Sequence, residues 1–382
     1  MNSRISAVED FLRDNQWTGG LITSRHNIHY LSGFDYDPHE RFVGIFLFVE
    51  QGPLFVLPEM EVNMLLETGW KYDYLSYQDT EDVWSKLKMH LGVHANDIRE
   101  FGVEEKMLPL KRSYELQNVF PGITLQNLDQ KLSDLRLIKS EKEIRHLKVA
   151  AQYADEAIAI GISALYEGVT ELEVLGKIEF ELKKAGIREM SFSPMVLFGS
   201  NASNPHGVTG NRPLQPGDTV IFDLGVIYNG YCSDITRTVV FKELKDEVRE
   251  MYDLVLLANL AALEECQPGN QLGKIDDAAR QVIKEGGYGH HFPHRIGHGL
   301  GMEVHEEPSI HSANRQSLRE GMVLTVEPGI YVSGAGGVRI EDDVIITEDG
   351  YEVLTMFPKG LQIIGGNDHE SSAKGPKGIR KA

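Results

Sequence analysis

Two acidic residues stand where a hydrophobic hairpin has no use for them. Val220 to Val226 reads as a strand of branched and aromatic residues, Asn229-Gly230 is a strong two-residue turn signal, and Tyr231 to Phe241 reads as the returning strand. With Asn229 and Gly230 in the turn, Tyr228 pairs with Tyr231. Counting back then sets Asp223 opposite Thr236 and diagonal to Asp234 on the same face. Diagonal neighbours on one face lie about 7–8 Å apart, close enough for two carboxylates to converge on a cation. Burying both without a partner is very costly. The alternative is a pair of acids on a solvated face, which an acidic chain readily supplies.

Further along, His294, His298 and His305 fall within twelve positions. The four-residue spacing of the first two suggests a helical zinc motif. However, Gly297, Gly299 and Gly301 argue against a helix and no Glu follows His294, so that motif is rejected. In an extended or looped chain the glycines would let the backbone approach a ligand closely. Met322 to Val326 is a hydrophobic strand ending in Glu327-Pro328-Gly329. Val338 to Ile346 reads as one strand in which Arg339, Glu341 and Asp343 share a face. Taken singly, Glu327 and Glu341 are ordinary strand-end or edge acids. Taken with Asp223, Asp234 and His298 they form a set of four carboxylates and one imidazole, which balances two divalent cations. Such an oxygen-rich set suits Mn²⁺ or Co²⁺. Two cations about 3.5–4 Å apart can share a hydroxide and stabilise charge on an attacked carbonyl, so the reaction class is metal-assisted hydrolysis.

The elements that must position these residues lie in two regions. Ile5 to Trp17 has helical apolar spacing and is followed by a short strand, Leu21 to Thr23; strand-like runs follow at Phe42 to Phe48 and Leu54 to Leu57, then a helix over Asp82 to Leu91 and a strand near Ile98 to Val103. Asp35 to Arg41 is a polar, proline-bearing loop that reaches a neighbouring site or is only a loop. Past residue 130 come a charged helix opened by Ser140 and Glu143 in a capping-box pattern, an amphipathic helix from Thr170 to Ala185, and helices over Asp246 to Glu265 and Leu272 to Glu285. This second region is α+β, with its strands carrying the chemistry. From Gly365 the chain turns to Gly, Ser, Lys, Arg and Asp and reads as a disordered tail.

Composition narrows the function further. A chain of 382 residues accommodates two domains and a large core, and a net charge of −19 argues against nucleic acid or an anionic membrane as the main partner. Only Cys232 and Cys266 occur, which supports neither a disulfide framework nor a thiolate metal site. The first residues hold no apolar signal core and no run approaches the length of a membrane span, so the expectation is a cytoplasmic protein.

Asp223, Asp234, His298, Glu327 and Glu341, in this order and local context, resemble the ligand set of the pita-bread metallopeptidases, which include methionine aminopeptidase, aminopeptidase P and Xaa-Pro dipeptidase (prolidase). Asn27 to Phe34 resembles the smaller N-terminal domain of the proline-directed members. Asp37-Pro38-His39-Glu40-Arg41 and the run from His294 to Ile310 look most like bacterial cytoplasmic Xaa-Pro dipeptidases. The resemblance implies an α+β protein, with a smaller α/β N-terminal domain over residues 1–130, a pita-bread catalytic domain over 131–364 and the tail over 365–382. It implies two divalent metal ions per subunit, Mn²⁺ or Co²⁺, with Asp223 on one, Asp234 and Glu341 bridging, and His298 and Glu327 on the other. Glu327 would also take a proton from the bridging water. His206 would sit near the leaving nitrogen, His305 would steady the tetrahedral intermediate, and His294 and Arg339 would line the proline end of the pocket.

The implied substrates are short proline-containing peptides, cleaved by attack of a hydroxide that bridges the metals, and the implied assembly is a homodimer. An X-Pro bond has no N–H, so it needs a dedicated pocket and a proton donor for the ring nitrogen. The alternatives are an aminopeptidase P acting on longer peptides, a creatinase-like hydrolase working without metal, and a peptide-binding relative that has lost catalysis. The complete five-residue set argues against the last two.

Overall fold

The computed structural model describes residues 3–365, so most of the sequence-predicted tail, 366–382, lies outside the described residues. The chain divides into two compact units, Met1–Arg136 and Leu137–Ala382. Among the described residues no helix is long and apolar enough to cross a membrane.

The first unit is built on a six-stranded sheet in the spatial order Asp73–Tyr77, Gly52–Pro58, Gly44–Phe48, Gly19–Ile22, Glu100–Val103, Thr124–Asn127. The middle pairings are antiparallel and the outer ones parallel. Strand Gly44–Phe48 is apolar and buried at every position, as expected of a strand covered on both faces. Phe46, Phe48, Phe101 and Phe120 pack within 5.5–6.5 Å between ring centroids at its heart. The first helix spans Ser3–Asp14 and stops short of Trp17, whose ring instead packs edge-on against Phe11 at 5.4 Å. In the Asp35 to Arg41 loop, Arg41 makes a two-pronged contact with Asp79 at 2.8 and 2.9 Å, on the surface of this unit.

The second unit has the α+β, paired-half pita-bread architecture. In one half, helices Glu141–Ser163 and Glu171–Lys184 pack on a four-stranded sheet whose main strands are Met195–Phe198, Thr219–Leu224 and Ile235–Phe241. In the other, helices Asp246–Glu264 and Leu272–Glu285 pack on a five-stranded sheet ordered Glu306–Ile310, Gly297–Gly299, Val323–Val326, Asp342–Thr347, Gly350–Val353. Hydrogen bonds stitch the halves together along their centre. Thr238 Oγ1 donates to the Arg339 carbonyl at 2.9 Å and accepts from the Arg339 amide at 3.0 Å, and the Glu341 amide donates to the Thr236 carbonyl at 3.1 Å.

The hairpin of the sequence reading has the expected register, Tyr228 opposite Tyr231 and Asp223 opposite Thr236, but it is not continuous. Asn229 and Gly230 both take positive φ, 49° and 80°, as a type I′ turn requires. Regular pairing lapses at Gly225–Val226 opposite Ser233–Asp234. The Ser233 amide still donates to the Val226 carbonyl at 3.0 Å, but the Val226 amide turns to Ser233 Oγ at 3.1 Å and another segment enters, the Ser191 amide donating to the Gly225 carbonyl at 3.0 Å and Ser191 Oγ to the Ser233 carbonyl at 2.8 Å. The chains there are so close that a Cβ on Gly225 would fall 1.8 Å from the Ser233 carbonyl oxygen.

Two further expectations change. Val338 to Ile346 is not one strand. Gly336–Arg339 pairs with Gly329–Val332, Asp342–Thr347 belongs to the five-stranded sheet, and Glu341 sits at the break. The break is held by the buried Arg237, which donates to the Glu341 carbonyl and pairs with Asp342 at 2.8 Å. Gly297 and Gly299 serve neighbouring strands rather than a ligand. A Cβ on Gly297 would meet the Thr325 carbonyl at 2.0 Å, and one on Gly299 the Glu307 carbonyl at 2.2 Å.

Candidate metal centre

A cavity of about 380 Å³ opens where the two halves of the second unit meet. All nine residues singled out in the sequence line it: His206, Asp223, Asp234, His294, His298, His305, Glu327, Arg339 and Glu341. The structure adds Phe192, Met195, Pro205, Arg295 and Val304 to its walls.

At its floor, Asp234, His298 and Glu341 each present a donor atom within 4.8 Å of the others. Each comes from a place where regular pairing fails: Asp234 from the lapse in the hairpin, Glu341 from the break between strands, and His298 from a three-residue strand whose register shifts at the next residue. His298 Nε2 lies 3.8 Å from Asp234 Oδ2 and 3.6 Å from Glu327 Oε1. Glu327, at the end of strand Val323–Val326, faces the cavity with its side chain 18% exposed. Asp223 reaches the same cavity with its carboxylate turned onto the Arg339 guanidinium, so it stands outside the three-residue cluster.

Hydrogen bonds fix the orientation of each donor. The Asp234 amide donates to Asp343 Oδ2 at 3.0 Å. Thr236 Oγ1 donates to Glu341 Oε2 at 2.6 Å and accepts from Arg339 Nε at 3.0 Å. Arg339 Nη1 donates to the Tyr331 hydroxyl at 2.7 Å, which lies 3.0 Å from His294 Nε2. His298 Nδ1 stands 3.1 Å from the Gly299 carbonyl. That contact assigns its proton to Nδ1 and leaves the Nε2 lone pair facing the carboxylates. The His298 and His305 rings meet edge to face at 4.3 Å.

The electrostatics of this floor call for a cation. Burial, followed by the charge of Glu341, pushes Asp234 and Glu327 well above the usual carboxylate range. Burial and then the charge of Asp223 push Glu341 to about 8. Burial, with His305 beside it, lowers His298 to about 3, which keeps it a neutral imidazole and so a competent ligand. Burial works against the charge of Arg339, but Tyr331, Asp223, Glu341 and Glu327 more than offset it and hold the guanidinium protonated. One cation does not balance the cluster. Asp234 Oδ1 is buried without a hydrogen-bond partner in the described structure, an acceptor aimed where a positive charge is wanted. Buried carboxylates, a neutral imidazole and an unsatisfied oxygen together fit a divalent metal.

Sequence reasoning missed Tyr331 and Arg295, and it named Asp343 only as a face-mate of Glu341, not as the acceptor of the Asp234 amide. Tyr331 carries no signal that separates it from a core tyrosine. Arg295 stands between His294 and His298, and as a second guanidinium beside Arg339 on the cavity wall it offers a further cation for an anionic group.

Comparison with known proteins covers both units of the chain. The family model described as metallopeptidase family M24 matches residues 145–348, and the creatinase/prolidase N-terminal domain matches residues 4–138. The chain is 46% identical to the "Putative dipeptidase YkvY" of Bacillus subtilis (strain 168), over 95% of this chain and 100% of that one. Among solved structures it is similar to a prolidase from Pyrococcus horikoshii OT3, with a TM-score of 0.87 and 34% identity over 94% of this chain and 99% of that one. It is also similar to an X-Pro aminopeptidase from Thermotoga maritima MSB8, with a TM-score of 0.83 and 30% identity over 91% of this chain and 98% of that one.

Proposed function

This chain belongs to metallopeptidase family M24, and from that premise we propose that it is an Xaa-Pro dipeptidase, releasing proline from dipeptides with the help of two divalent cations. The observation that carries the reading is the cavity itself. At about 380 Å³ it lies near the lower end of the range for small-ligand sites, roughly 300–1,000 Å³, and so suits a ligand of dipeptide size better than a long chain.

Divalent metals held by Asp223, Asp234, His298, Glu327 and Glu341 would polarise the scissile carbonyl and lower the pKa of a water, and the oxygen-rich set favours Mn²⁺. Arg339 occupies Asp223 Oδ2, which leaves Oδ1 as the oxygen that would face a cation. Glu327, with its raised proton affinity, is suited to take a proton from the attacking water. His206 and His305 line the more exposed side of the cavity, and in this reading His206 would donate a proton to the departing ring nitrogen and His305 would steady the oxyanion. Burial lowers His305 below the ordinary histidine value, with Arg295 adding to the shift, so it enters the reaction neutral at physiological pH. Phe192 and Met195 offer apolar surface on which a pyrrolidine ring can rest, and Arg295 offers a cation for the free carboxylate that only a dipeptide presents next to proline. Two copies of the chain acting as a homodimer form part of the same reading, carried by the resemblance of the Asp37 to Arg41 loop.

The deciding measurement compares hydrolysis of an Xaa-Pro dipeptide with that of the matching Xaa-Pro-Xaa tripeptide by the Mn²⁺-loaded protein. The expected result is a marked preference for the dipeptide. Equal or faster cleavage of the tripeptide would overturn the reading in favour of an aminopeptidase, to which the likeness with the Thermotoga maritima structure points.

A further inference from the structure

Among the fully buried acids of the second unit, Glu171 has no part in the metal centre. It is the first residue of helix Glu171–Lys184 and is 0% exposed. The helix does not need its carboxylate. Thr170 and Glu173 already form a reciprocal capping box, with the Glu173 amide donating to Thr170 Oγ1 at 3.2 Å and the Thr170 amide to Glu173 Oε2 at 2.8 Å. The Glu171 carboxylate instead takes all its described hydrogen bonds from a different segment. Oε1 accepts from the Phe198 amide at 2.8 Å and from Asn201 Nδ2 at 3.0 Å; Oε2 accepts from the Gly210 amide at 2.8 Å and from the same Asn201 nitrogen at 3.1 Å.

Those donors bracket one loop. Phe198 ends the strand Met195–Phe198, Asn201 opens the turn that follows, and Gly210 closes the excursion. Between them lie Pro205 and His206, which line the cavity, and the Pro205 carbonyl accepts from Arg339 Nη1 at 3.5 Å. Within the loop the bonds are short-range, such as the His206 amide to Asn204 Oδ1 at 3.3 Å, and its further ties are single neutral bonds: the Gly199 amide to the Thr219 carbonyl at 2.8 Å, the Val196 amide to Thr209 Oγ1 at 2.9 Å and the Leu172 amide to the Gly210 carbonyl at 3.0 Å. Charge-assisted bonds from a buried, fully satisfied carboxylate at a helix N-terminus are stronger than neutral ones and are favoured by the helix dipole.

We propose that Glu171 is a positioning residue that clamps both ends of the loop 198–210 and so sets the place of His206 against the substrate. The role rests on the substrate-side position given to His206 above. It acts through the loop and not through the metal.

The test uses the full-length, metal-loaded protein and the variants Glu171→Gln, His206→Ala and the double variant. Gln keeps the shape but turns an amide nitrogen toward N–H donors, so at least one bond is lost. Amide hydrogen exchange over residues 198–210 is expected to speed up roughly tenfold in Glu171→Gln while the metal content and the exchange of the two sheets stay as in the parent. On the peptide that the parent cleaves fastest, kcat is expected to fall about 100-fold in Glu171→Gln, the scale of a misplaced catalytic group. In the His206→Ala background the same substitution should cost less than about twofold, because the two residues act as one unit.

Unchanged loop exchange, an equal kcat loss in both backgrounds, or a His206→Ala variant with parental kcat would each overturn the proposal. If Glu171→Gln does not fold, Asn201→Ala, which removes one donor from the loop side, is read by the same exchange and kcat cycle. Should the parent cleave no Xaa-Pro dipeptide, the substrate reading fails, but the exchange and the cycle on its preferred peptide still decide the role of Glu171.

Discussion

The five proposed ligands differ in how much each has to be held in place, and that difference predicts their mutational behaviour. Asp234 is fixed through its amide by Asp343 and carries an unsatisfied buried oxygen, so Asp234→Ala removes a ligand without leaving a competing charge. Metal bound per subunit, measured by elemental analysis, is expected to fall, and turnover should drop by more than the roughly 10–100-fold that loss of an outer partner causes. Glu327→Gln should behave differently. The metal affinity weakens only in part, while kcat falls about 10²–10⁴-fold, the range for loss of a general base. Retention of full kcat would remove Glu327 from the proton-transfer step. Tyr331→Phe deletes a hydroxyl that accepts from Arg339 and faces His294, leaving a buried guanidinium one acceptor short. A loss of about tenfold in kcat/KM with unchanged metal content is expected, corresponding to the cost of one unmade buried hydrogen bond of roughly 1–2 kcal/mol.

At the scale of elements, the lapses in regular structure bring the metal centre together, and they were only partly legible in the sequence. The hairpin register could be read because Asn229-Gly230 dictates the turn and a period of two does the rest, which is why Asp223 opposite Thr236 was within reach of simple counting. The lapse at Gly225 could not be read, since it depends on Ser191 arriving from more than thirty residues away. The run from Val338 to Ile346 reads as one strand because it is rich in β-branched residues and a period of two sets Arg339, Glu341 and Asp343 on one face; what divides it is the Arg237–Asp342 pair, 105 residues apart. Asp342 stays charged there. Burial works against it, but Arg237 and Lys359, the latter at 2.8 Å, hold its carboxyl below the usual value. The same long-range logic hid the clamps on the cavity segments: Glu171 on the His206 loop, and Asp276, which accepts the Ile296 amide at 3.1 Å and pairs with Arg280. Arg237→Ala is therefore expected to cost about 3–5 kcal/mol, the scale for breaking a buried ion pair, and to lower metal affinity as well because Glu341 loses its anchor. Chemical denaturation of the metal-free and metal-loaded forms separates the two effects, and a variant as stable as the parent would show that the break at Glu341 needs no such brace.

At the scale of the whole molecule, concentrating buried acids at one point makes folding of the second unit depend on both metal and pH, and makes the pH dependence differ between the metal-free and metal-loaded forms. Glu341 has an ordinary value of 4.5 and is pushed to about 8 in the folded, metal-free protein, by burial first and by Asp223 second; Asp234 and Glu327 are raised in the same direction. Between about 4.5 and about 8 the folded state thus binds protons that the unfolded state has released. Stability changes with pH in proportion to protons bound unfolded minus protons bound folded. His298 and His294, lowered to about 3 and about 4, contribute positively to that difference below about 6.5, but the raised carboxylates Asp234, Glu327, Glu341 and Asp343 outnumber them and act over the whole window, so the metal-free protein loses stability between pH 5 and pH 8. With metal present that loss is removed. The cation replaces those protons, and because it competes with them its affinity grows as pH rises. At a free metal concentration of 100 times Kd the gain is about 2.7 kcal/mol, enough to separate the two melting curves clearly. Thermal melts at pH 5 and pH 8, each with a chelator and with excess Mn²⁺, should therefore diverge as pH rises. The chelated protein melts higher at pH 5 than at pH 8, and the Mn²⁺-induced shift is small at pH 5 and large at pH 8. A chelated protein that gains stability between those values would mean that the carboxylates keep their ordinary proton affinity without metal. The cluster would then have to be opened to solvent, and not buried as Asp234, His298 and Glu341 are here.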